Sequence, residues 1–206
     1  RLRVAVFDGC PFICRDGSGT VPSLLRWVFE GSGYQLDFVH MNFARSKFEL
    51  ANGRIDLLPA SLKGSVSPAL YPDSPLFSTQ MCFVVREGDS WQYEGLGSLA
   101  GRRLMIEKGI VHTPEFYNRT RSDPSVHKVP GTDVPRRLLQ MLANDRGDTI
   151  TVERTVLKVL LKDSRLAHLP PLRLAGCFKP EYEFLAVNAH RSDSRFLNSL
   201  LTEKLQ

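Results

Sequence analysis

The sequence predicts an α/β protein of two lobes joined by two crossing strands. Residues 1–60 alternate strand and helix patterns, and residues 99–174 do so again. Two continuous apolar runs separate these stretches: Met81–Val85, after an extended proline-containing segment, and Tyr182–Val187 near the C-terminus. Such runs, bounded by turn residues, indicate strands buried on both faces. A self-contained segment between two buried strands indicates a hinge, and a hinge between lobes usually creates a cleft.

The first lobe has a β-α-β-α-β pattern, which predicts a parallel sheet with helices against it. Pro22 near the start of the first helix and Gly53 after the second occupy positions typical of helix ends. The segments are Leu2–Phe7 (strand), Pro22–Phe29 (helix), Tyr34–Val39 (strand), Phe43–Asn52 (helix) and Ile55–Pro59 (strand).

The second stretch repeats this alternation, and a final amphipathic helix follows the second crossing. Thr132 or Asp133 caps the second of its helices, with Pro135 in the first turn. The segments are Leu99–Ile106 (where the alternation restarts), Glu115–Asn118 (start of a helix), Val126–Val129 (strand), a helix carrying Leu138 to Leu142, Asp148–Val152 (strand), Val156–Leu161 (helix), Leu172–Leu174 (leading to the second crossing) and Arg195–Leu205 (final helix).

Composition excludes several classes of function. The chain has 206 residues, of which 42% are apolar, so it can bury a core. Its net charge of +5 comes from scattered Lys and Arg rather than a basic stripe, which argues against nucleic-acid binding. No apolar run is long enough to span a membrane. Because the sequence begins inside a strand, we expect a signal peptide or membrane anchor to lie outside it.

Four cysteines, Cys10, Cys14, Cys82 and Cys177, lack the paired spacing of a zinc site. Cys10 can pair with Cys14, and Cys82 with Cys177, but the sequence alone does not separate these bridges from four buried thiols. We expect thiols. No metal cluster, phosphate loop or Ser-His-Asp spacing is visible, so we expect no catalytic residues, metal or cofactor.

Eight segments in chain order resemble the family 3 extracellular solute-binding proteins, the periplasmic amino-acid receptors of ABC transporters, and their sensor relatives. Together they cover nearly the whole length. They are LRVAV with PF and DG from Leu2, YQLDFV from Tyr34, LANGRIDLLPAS from Leu50, YPDSPLF from Tyr71, FVVREGD from Phe83, SLAGRRLMIEKG from Ser98, LLQMLANDRGDTITVE from Leu138 and YEFLAVN from Tyr182.

The resemblance implies the type II periplasmic-binding-protein fold, or Venus flytrap. Lobe 1 would comprise residues 1–82 and 185–206, and lobe 2 residues 83–184. A small solute would bind in the cleft between them, at the carboxyl ends of the strands. The lobes would then close by a hinge motion.

The resemblance also implies part of an amino-acid clamp. Small polar residues after the third strand, here Ala60 and Ser61, would hold the ligand. The arginine that normally pairs with the α-carboxylate is missing, because Val66 stands at about its position. Lys63 or Arg45 could supply a cation instead, or both could be solvated surface residues. We therefore expect a ligand other than a plain α-amino acid held in the usual way.

The remaining candidates come from three loops. Glu153 matches the residue that takes the ligand's ammonium, although it could simply pair with Arg154. Gly9 replaces the family's aromatic, leaving Phe12 as the nearest ring. Three further residues are expected near the ligand: Asp8, which could instead cap a turn, and His112 with Thr113, before a helix N-terminus.

These expectations point to a periplasmic binding module rather than an enzyme. It would bind an amino-acid-like solute or small carboxylate and pass it to an ABC permease, or signal to a membrane partner. One alternative is an enzyme that dehydrates cyclic carboxylic acids, with Glu153 as general acid. Another is the effector domain of a transcription regulator, which shares this architecture.

Overall fold

The computed structural model describes residues 1–110 and 113–206. The elements in chain order are β1 (Leu2–Val6), α1 (Thr20–Val28), β2 (Leu36–His40), α2 (Phe43–Ala51), β3 (Leu57–Ser61), β4 (Ala69–Leu70), β5 (Phe77–Thr79), β6 (Met81–Arg86), β7 (Leu104–Glu107), α3 (Pro114–Thr120), β8 (Val126–Val129), α4 (Val134–Ala143), β9 (Thr149–Glu153), α5 (Arg154–Leu160), β10 (Leu172–Cys177), β11 (Glu181–Asn188) and α6 (Ser194–Lys204), with short 3-10 helices at Leu96–Leu99 and Ser164–Leu166.

The chain divides into two compact α/β units. Unit 1 comprises Arg1–Ser78 and Glu181–Gln206, and unit 2 comprises Thr79–Pro180. The sequence-based boundaries at residues 82 and 184 lie inside β6 and β11. Each unit has its own sheet, so each is described separately.

Unit 1 contains a mixed sheet in the order β2-β1-β3-β11-β4, with β5 beside β11. The first three strands are parallel, as the β-α-β-α-β pattern predicted. β11 runs antiparallel to β3 and β4, so the sheet as a whole is mixed. The strand that returns from unit 2 extends this sheet in the opposite direction.

The two faces of this sheet are covered by different helices. On one face, Val4, Val6 and Leu57 pack with Leu25 of α1 and Leu197 of α6. On the other, α2 packs against β3 and β11 and buries Phe43, Ser46 and Leu50. We call these the α1/α6 face and the α2 face.

Unit 2 has its sheet in the order β10-β6-β9-β7-β8. β6, which lies between β10 and β9, is buried from Cys82 to Val85, and this confirms the prediction for all of that run except Met81, which is half-buried. The second apolar run is only partly buried. In β11 only Leu185 to Asn188 are buried, and Tyr182 is 65% exposed, because pairing with β3 begins only at Phe184.

Both cysteine pairs form disulfide bonds, Cys10 with Cys14 and Cys82 with Cys177. The expectation of four thiols was therefore wrong. Cys82 and Cys177 are register partners on the antiparallel strands β6 and β10. Cys10 and Cys14 lie on a tight turn whose neighbouring backbone groups are hydrogen-bonded, Gly9 N to Ile13 O at 2.9 Å.

Among the described residues, no helix has both the length and the apolar composition to cross a bilayer. Within the same ranges, no three His, Cys, Asp or Glu side chains are grouped so that they could hold a metal ion.

Candidate functional site

The parallel strands of unit 1 end together. β1 ends at Val6, β2 at His40 and β3 at Ser61, so their carboxyl ends form one edge of the sheet. We call this the carboxyl edge. In open α/β sheets, ligands bind outside this edge because the loops there present side chains and backbone groups to solvent.

A β-bulge shapes the end of β3. Leu58 pairs with Ala186 of β11 and Ser61 pairs with Phe184, so three steps along β3 match two along β11. Ala60 lies in this bulge at φ 57°, an uncommon value for alanine. The extra residue changes the alternation of side chains. Ser61 consequently lies on the α2 face with Leu58, whereas a regular strand would place it on the α1/α6 face.

The hydroxyl of Ser61 is buried without a hydrogen-bond partner. Ser61 is 1% exposed, and its Oγ contacts no donor or acceptor among the described residues at hydrogen-bond distance. A buried hydroxyl left unpaired costs about 1–3 kcal/mol. Bulges and unusual φ values concentrate at functional sites, where that cost is offset by ligand contacts.

Asp8 is held in an ionic cluster at the end of β1. Its Oδ1 accepts a hydrogen bond from Arg15 Nε at 3.0 Å. Its Oδ2 lies 3.4 Å from Nε2 of His40, which ends the neighbouring strand β2. His40 Nε2 is buried and has no hydrogen-bond partner in the described chain. Sequence reasoning missed His40, although its position at the end of a strand next to β1 was a usable indication.

Aromatic rings lie beside these polar groups. Phe12 stacks on Phe77 with ring centroids 4.7 Å apart. Phe7, which follows β1, meets Phe43 of α2 edge-on at 5.1 Å. Phe12 is therefore in a pre-formed ring pair at the turn that the Cys10–Cys14 disulfide closes.

The two cations proposed as substitutes for the missing arginine have carboxylate partners in unit 1. Lys63 Nζ lies 3.7 Å from Asp73 Oδ1 and 5.3 Å from the Phe184 ring centroid. Arg45 is exposed and pairs with Glu49 at 3.3 Å, one turn further along α2. Both residues therefore already contact carboxylates, and Glu49 is shared with Arg54.

At the position of the missing arginine, the backbone is hydrogen-bonded to a tyrosine side chain. Val66 is buried, its N–H donates to Tyr71 Oη at 2.9 Å, and Tyr71 Oη donates to Val66 O at 3.2 Å. Burial raises the pKa of Tyr71, so the phenol stays a neutral donor. No arginine occurs between Arg54 and Arg86, so this segment offers no guanidinium to an anion.

In unit 2, two candidates serve as helix caps. Thr113 Oγ1 accepts from Phe116 N at 3.1 Å at the start of α3. Glu153 accepts from Thr155 N at 2.6 Å and Val156 N at 2.9 Å at the start of α5. Arg154 donates to the Gln80 side chain at 2.9 Å.

The third candidate of this unit, His112, lies outside the described residues. Glu153 also accepts a longer bond from Gln80 N at 3.3 Å. Its carboxylate therefore joins the start of α5 to the segment that enters β6.

Replacing Glu153 with alanine is expected to lower the unfolding free energy by about 1 kcal/mol, because the first turn of α5 loses its acceptor. Thr113→Ala, which removes a cap with one hydrogen bond, is the matched control and should cost less. Urea unfolding measures both. Unchanged stability in Glu153→Ala would contradict a capping role and leave the carboxylate available to a ligand.

No protein-family model matches the sequence, and no curated protein is significantly similar to it. Solved structures do match. A histidine kinase sensor domain with similarity to periplasmic binding proteins has a TM-score of 0.79 at 20% identity, covering 99% of this chain and 87% of that chain. An ancestral arginine-binding protein bound to arginine has a TM-score of 0.77 at 20% identity, covering 99% and 90%.

The periplasmic VFT2 domain of BvgS from Bordetella pertussis matches with a TM-score of 0.73 at 18% identity, covering 99% of this chain and 86% of that domain. These identities are low, and the likeness is one of fold over nearly the full length. The chain has the two-lobed α/β fold of periplasmic binding proteins and of the sensor domains that resemble them.

Proposed function

We propose that this chain is a ligand-binding module that takes a small polar solute at the carboxyl edge of unit 1. The observation that carries the proposal is the bulge at Ala60, which buries the Ser61 hydroxyl without a partner. A fold gains nothing from an unpaired buried hydroxyl, whereas a ligand group that pairs with it gains a specific contact. His40 and the Phe12 ring lie at the same edge and add a polar and an apolar surface.

The disulfides support an extracytoplasmic location, which for a bacterial protein is the periplasm. Disulfides persist in oxidising compartments and are rare in the cytosol. They therefore argue against the effector domain of a cytosolic transcription regulator. The proteins of similar fold include both an arginine-binding protein and a histidine kinase sensor domain. We propose that the module either delivers its solute to a membrane permease or signals to a membrane partner.

The proposal predicts binding that depends on Ser61. In a thermal-shift panel of amino acids, polyamines, small carboxylates and sugar acids, one chemical class should raise Tm by about 5–10 °C at a hundredfold excess over Kd. Ser61→Ala should leave the Tm of the free protein unchanged or higher, because it removes an unsatisfied group. It should weaken the ligand about tenfold.

Ser46→Ala is the matched control. Ser46 is also a buried serine of unit 1, but its Oγ donates to Phe43 O at 2.8 Å. Its replacement should lower Tm slightly and leave ligand affinity unchanged. A panel without any shift would refute the proposed function. If Ser61→Ala binds the ligand as tightly as the parent protein, the binding site does not lie at the carboxyl edge.

A further inference from the structure

The outer face of α5 in unit 2 exposes two aliphatic side chains. Val159 is 42% exposed and Leu161, which directly follows the helix, is 54% exposed. The buried residues of the helix, Val156 and Leu157, lie on its opposite side and pack into the unit. The face that α5 turns to solvent is therefore partly apolar, and it is a candidate surface for contact with another molecule.

Two lysines, Lys158 and Lys162, lie between these aliphatic side chains. The helical turn continues past the end of α5, because Leu161 N donates to Leu157 O at 2.9 Å. Lys162 N likewise donates to Val159 O at 3.1 Å. The two lysines are therefore neighbours one turn apart, with Leu161 on one flank and Val159 on the other. We call Lys158, Val159, Leu161 and Lys162 the α5 patch.

The carboxylate that follows the patch is already held by arginines. Asp163 pairs with Arg136 at 2.6 Å and with Arg165 at 2.9 Å, and Arg136 also pairs with Asp133 at 2.8 Å. Hydrogen bonds from the side chain and backbone of Arg165 hold the pKa of Asp163 well below its usual range, so this acid stays charged and paired. Neither lysine of the patch forms an ion pair within the described ranges, and both are exposed. The patch consequently carries an uncompensated positive charge.

This composition favours an anionic lipid surface over a protein partner. Protein interfaces are enriched in aromatic residues and arginine and depleted in lysine, and a standard one uses about 20–30 residues on each side. The α5 patch is far smaller, and it combines lysines with aliphatic residues instead of aromatic rings. Lysine suits a bilayer surface, because its aliphatic stem lies along apolar groups while its ammonium reaches the lipid phosphates.

We infer that the α5 patch docks unit 2 onto an anionic phospholipid surface, with the two ammonium groups on lipid phosphates and the Leu161 and Val159 side chains in the headgroup boundary. The helix stays packed in its unit, so this is a contact of its outer face and not an insertion of the chain. The inference goes beyond the proposed function and does not depend on which solute unit 1 binds. Such docking would hold unit 2 against the membrane that contains the proposed permease or signalling partner.

The test is cosedimentation of the full chain with phosphatidylglycerol vesicles, with phosphatidylcholine vesicles as the neutral arm and soluble polyglutamate as the protein-like arm. The chain should bind the anionic vesicles and not the neutral ones. Rising salt should release it, because salt screens charges on an exposed surface. Equal binding to both lipids, or binding to neither, would overturn the inference. Binding to polyglutamate alone would also overturn it and would assign the patch to an acidic protein segment.

A pair of double variants separates the patch from net charge. Replacing Lys158 and Lys162 with glutamine should weaken binding to the anionic vesicles about 25-fold, from about fivefold for each basic residue at such a surface. The control replaces Lys108 and Lys179, two exposed lysines elsewhere in unit 2, and changes the net charge by the same amount. It should weaken binding by less than about twofold, because the control lysines lie outside the docked face. Equal losses in the two variants would mean that net charge alone attracts the protein, and would overturn the inference.

The aliphatic contribution is tested with serine variants. Leu161→Ser should weaken vesicle binding about threefold to tenfold, whereas Leu174→Ser, at a position of unit 2 that is 41% exposed, should bind like the parent. Unchanged binding by Leu161→Ser would overturn the inference, because attraction by charge alone would not use this face of α5. All variants should keep the Tm of the parent, since the replaced side chains are exposed. The solute panel contains no lipid, so this inference and the proposed function can each fail without the other.

Discussion

Replacing Cys82 and Cys177 together with alanine is expected to lower the unfolding free energy of unit 2 by about 4–5 kcal/mol. The two cysteines are separated by 95 residues, so the disulfide closes a loop that spans nearly the whole unit. Without it, the unfolded chain gains the entropy of that loop. Cys82 is fully buried, and alanine avoids placing a hydroxyl in the core.

The Cys10–Cys14 disulfide provides the comparison. Its separation is only four residues, so the double alanine variant should lose about 2 kcal/mol. The turn also keeps its backbone hydrogen bonds and the buried side chain of Ile13. This variant should therefore remain folded at temperatures where the Cys82 and Cys177 variant has unfolded.

Fluorescence can follow each unit separately, since Trp27 lies in unit 1 and Trp91 in unit 2. Guanidinium unfolding reports unit 2 alone in a Trp27→Phe background and unit 1 alone in a Trp91→Phe background. Equal losses from the two disulfides would contradict the loop-entropy explanation. Such a result would indicate that structure remaining in the denatured chain already restrains the long loop.

Local pattern was enough to predict most elements. The alternation of strands and helices in residues 1–61 follows from apolar spacing that each segment carries by itself, and the structure confirms all five elements. The same holds for α4, where Pro135 and the leucines define both the start and the buried side. The resemblance to solute-binding proteins then predicted the two-lobed α/β fold, which the matched structures share.

Pairing between distant segments was not predictable in this way. The direction of β11 depends on which strand it pairs with after unit 2. An apolar strand pattern carries no information on whether that pairing is parallel or antiparallel. The bulge at Ala60 is defined by the register between β3 and β11. The sequence of residues 59–61, Pro-Ala-Ser, does not by itself indicate an extra residue in the strand. The disulfides were left open for the same reason, since spacing along the chain does not give spacing in the fold.

Only part of the candidate site could be predicted from the sequence. Ser61 was expected from the resemblance, but its lack of a partner depends on the fold around it. His40 was missed, although it ends the strand that pairs with β1.

Gly19→Ala is expected to destabilise unit 1 by about 3–5 kcal/mol, combining a backbone penalty with a steric clash. Gly19 precedes α1 at φ 111° and ψ 172°, a conformation essentially restricted to glycine. A Cβ there would lie 2.5 Å from Phe12 O and 2.8 Å from Pro11 O. These oxygens already accept hydrogen bonds from Val21 N and Thr20 N, so they cannot withdraw without uncapping the helix.

Gly95→Ala separates the two contributions. Gly95 has nearly the same backbone angles, φ 117° and ψ 177°, but a Cβ there meets nothing within 4 Å. It should cost only the backbone penalty, about 1–3 kcal/mol. Urea unfolding of both variants, with each unit followed by its own tryptophan, gives the difference directly. If the two variants lose similar amounts of unfolding free energy, the turn at residues 11–12 moves to accommodate the added methyl group. Phe12 would then not be held rigidly beside Phe77. A larger loss for Gly19→Ala would show that the start of α1 fixes this turn, and through it the ring that the proposed ligand meets.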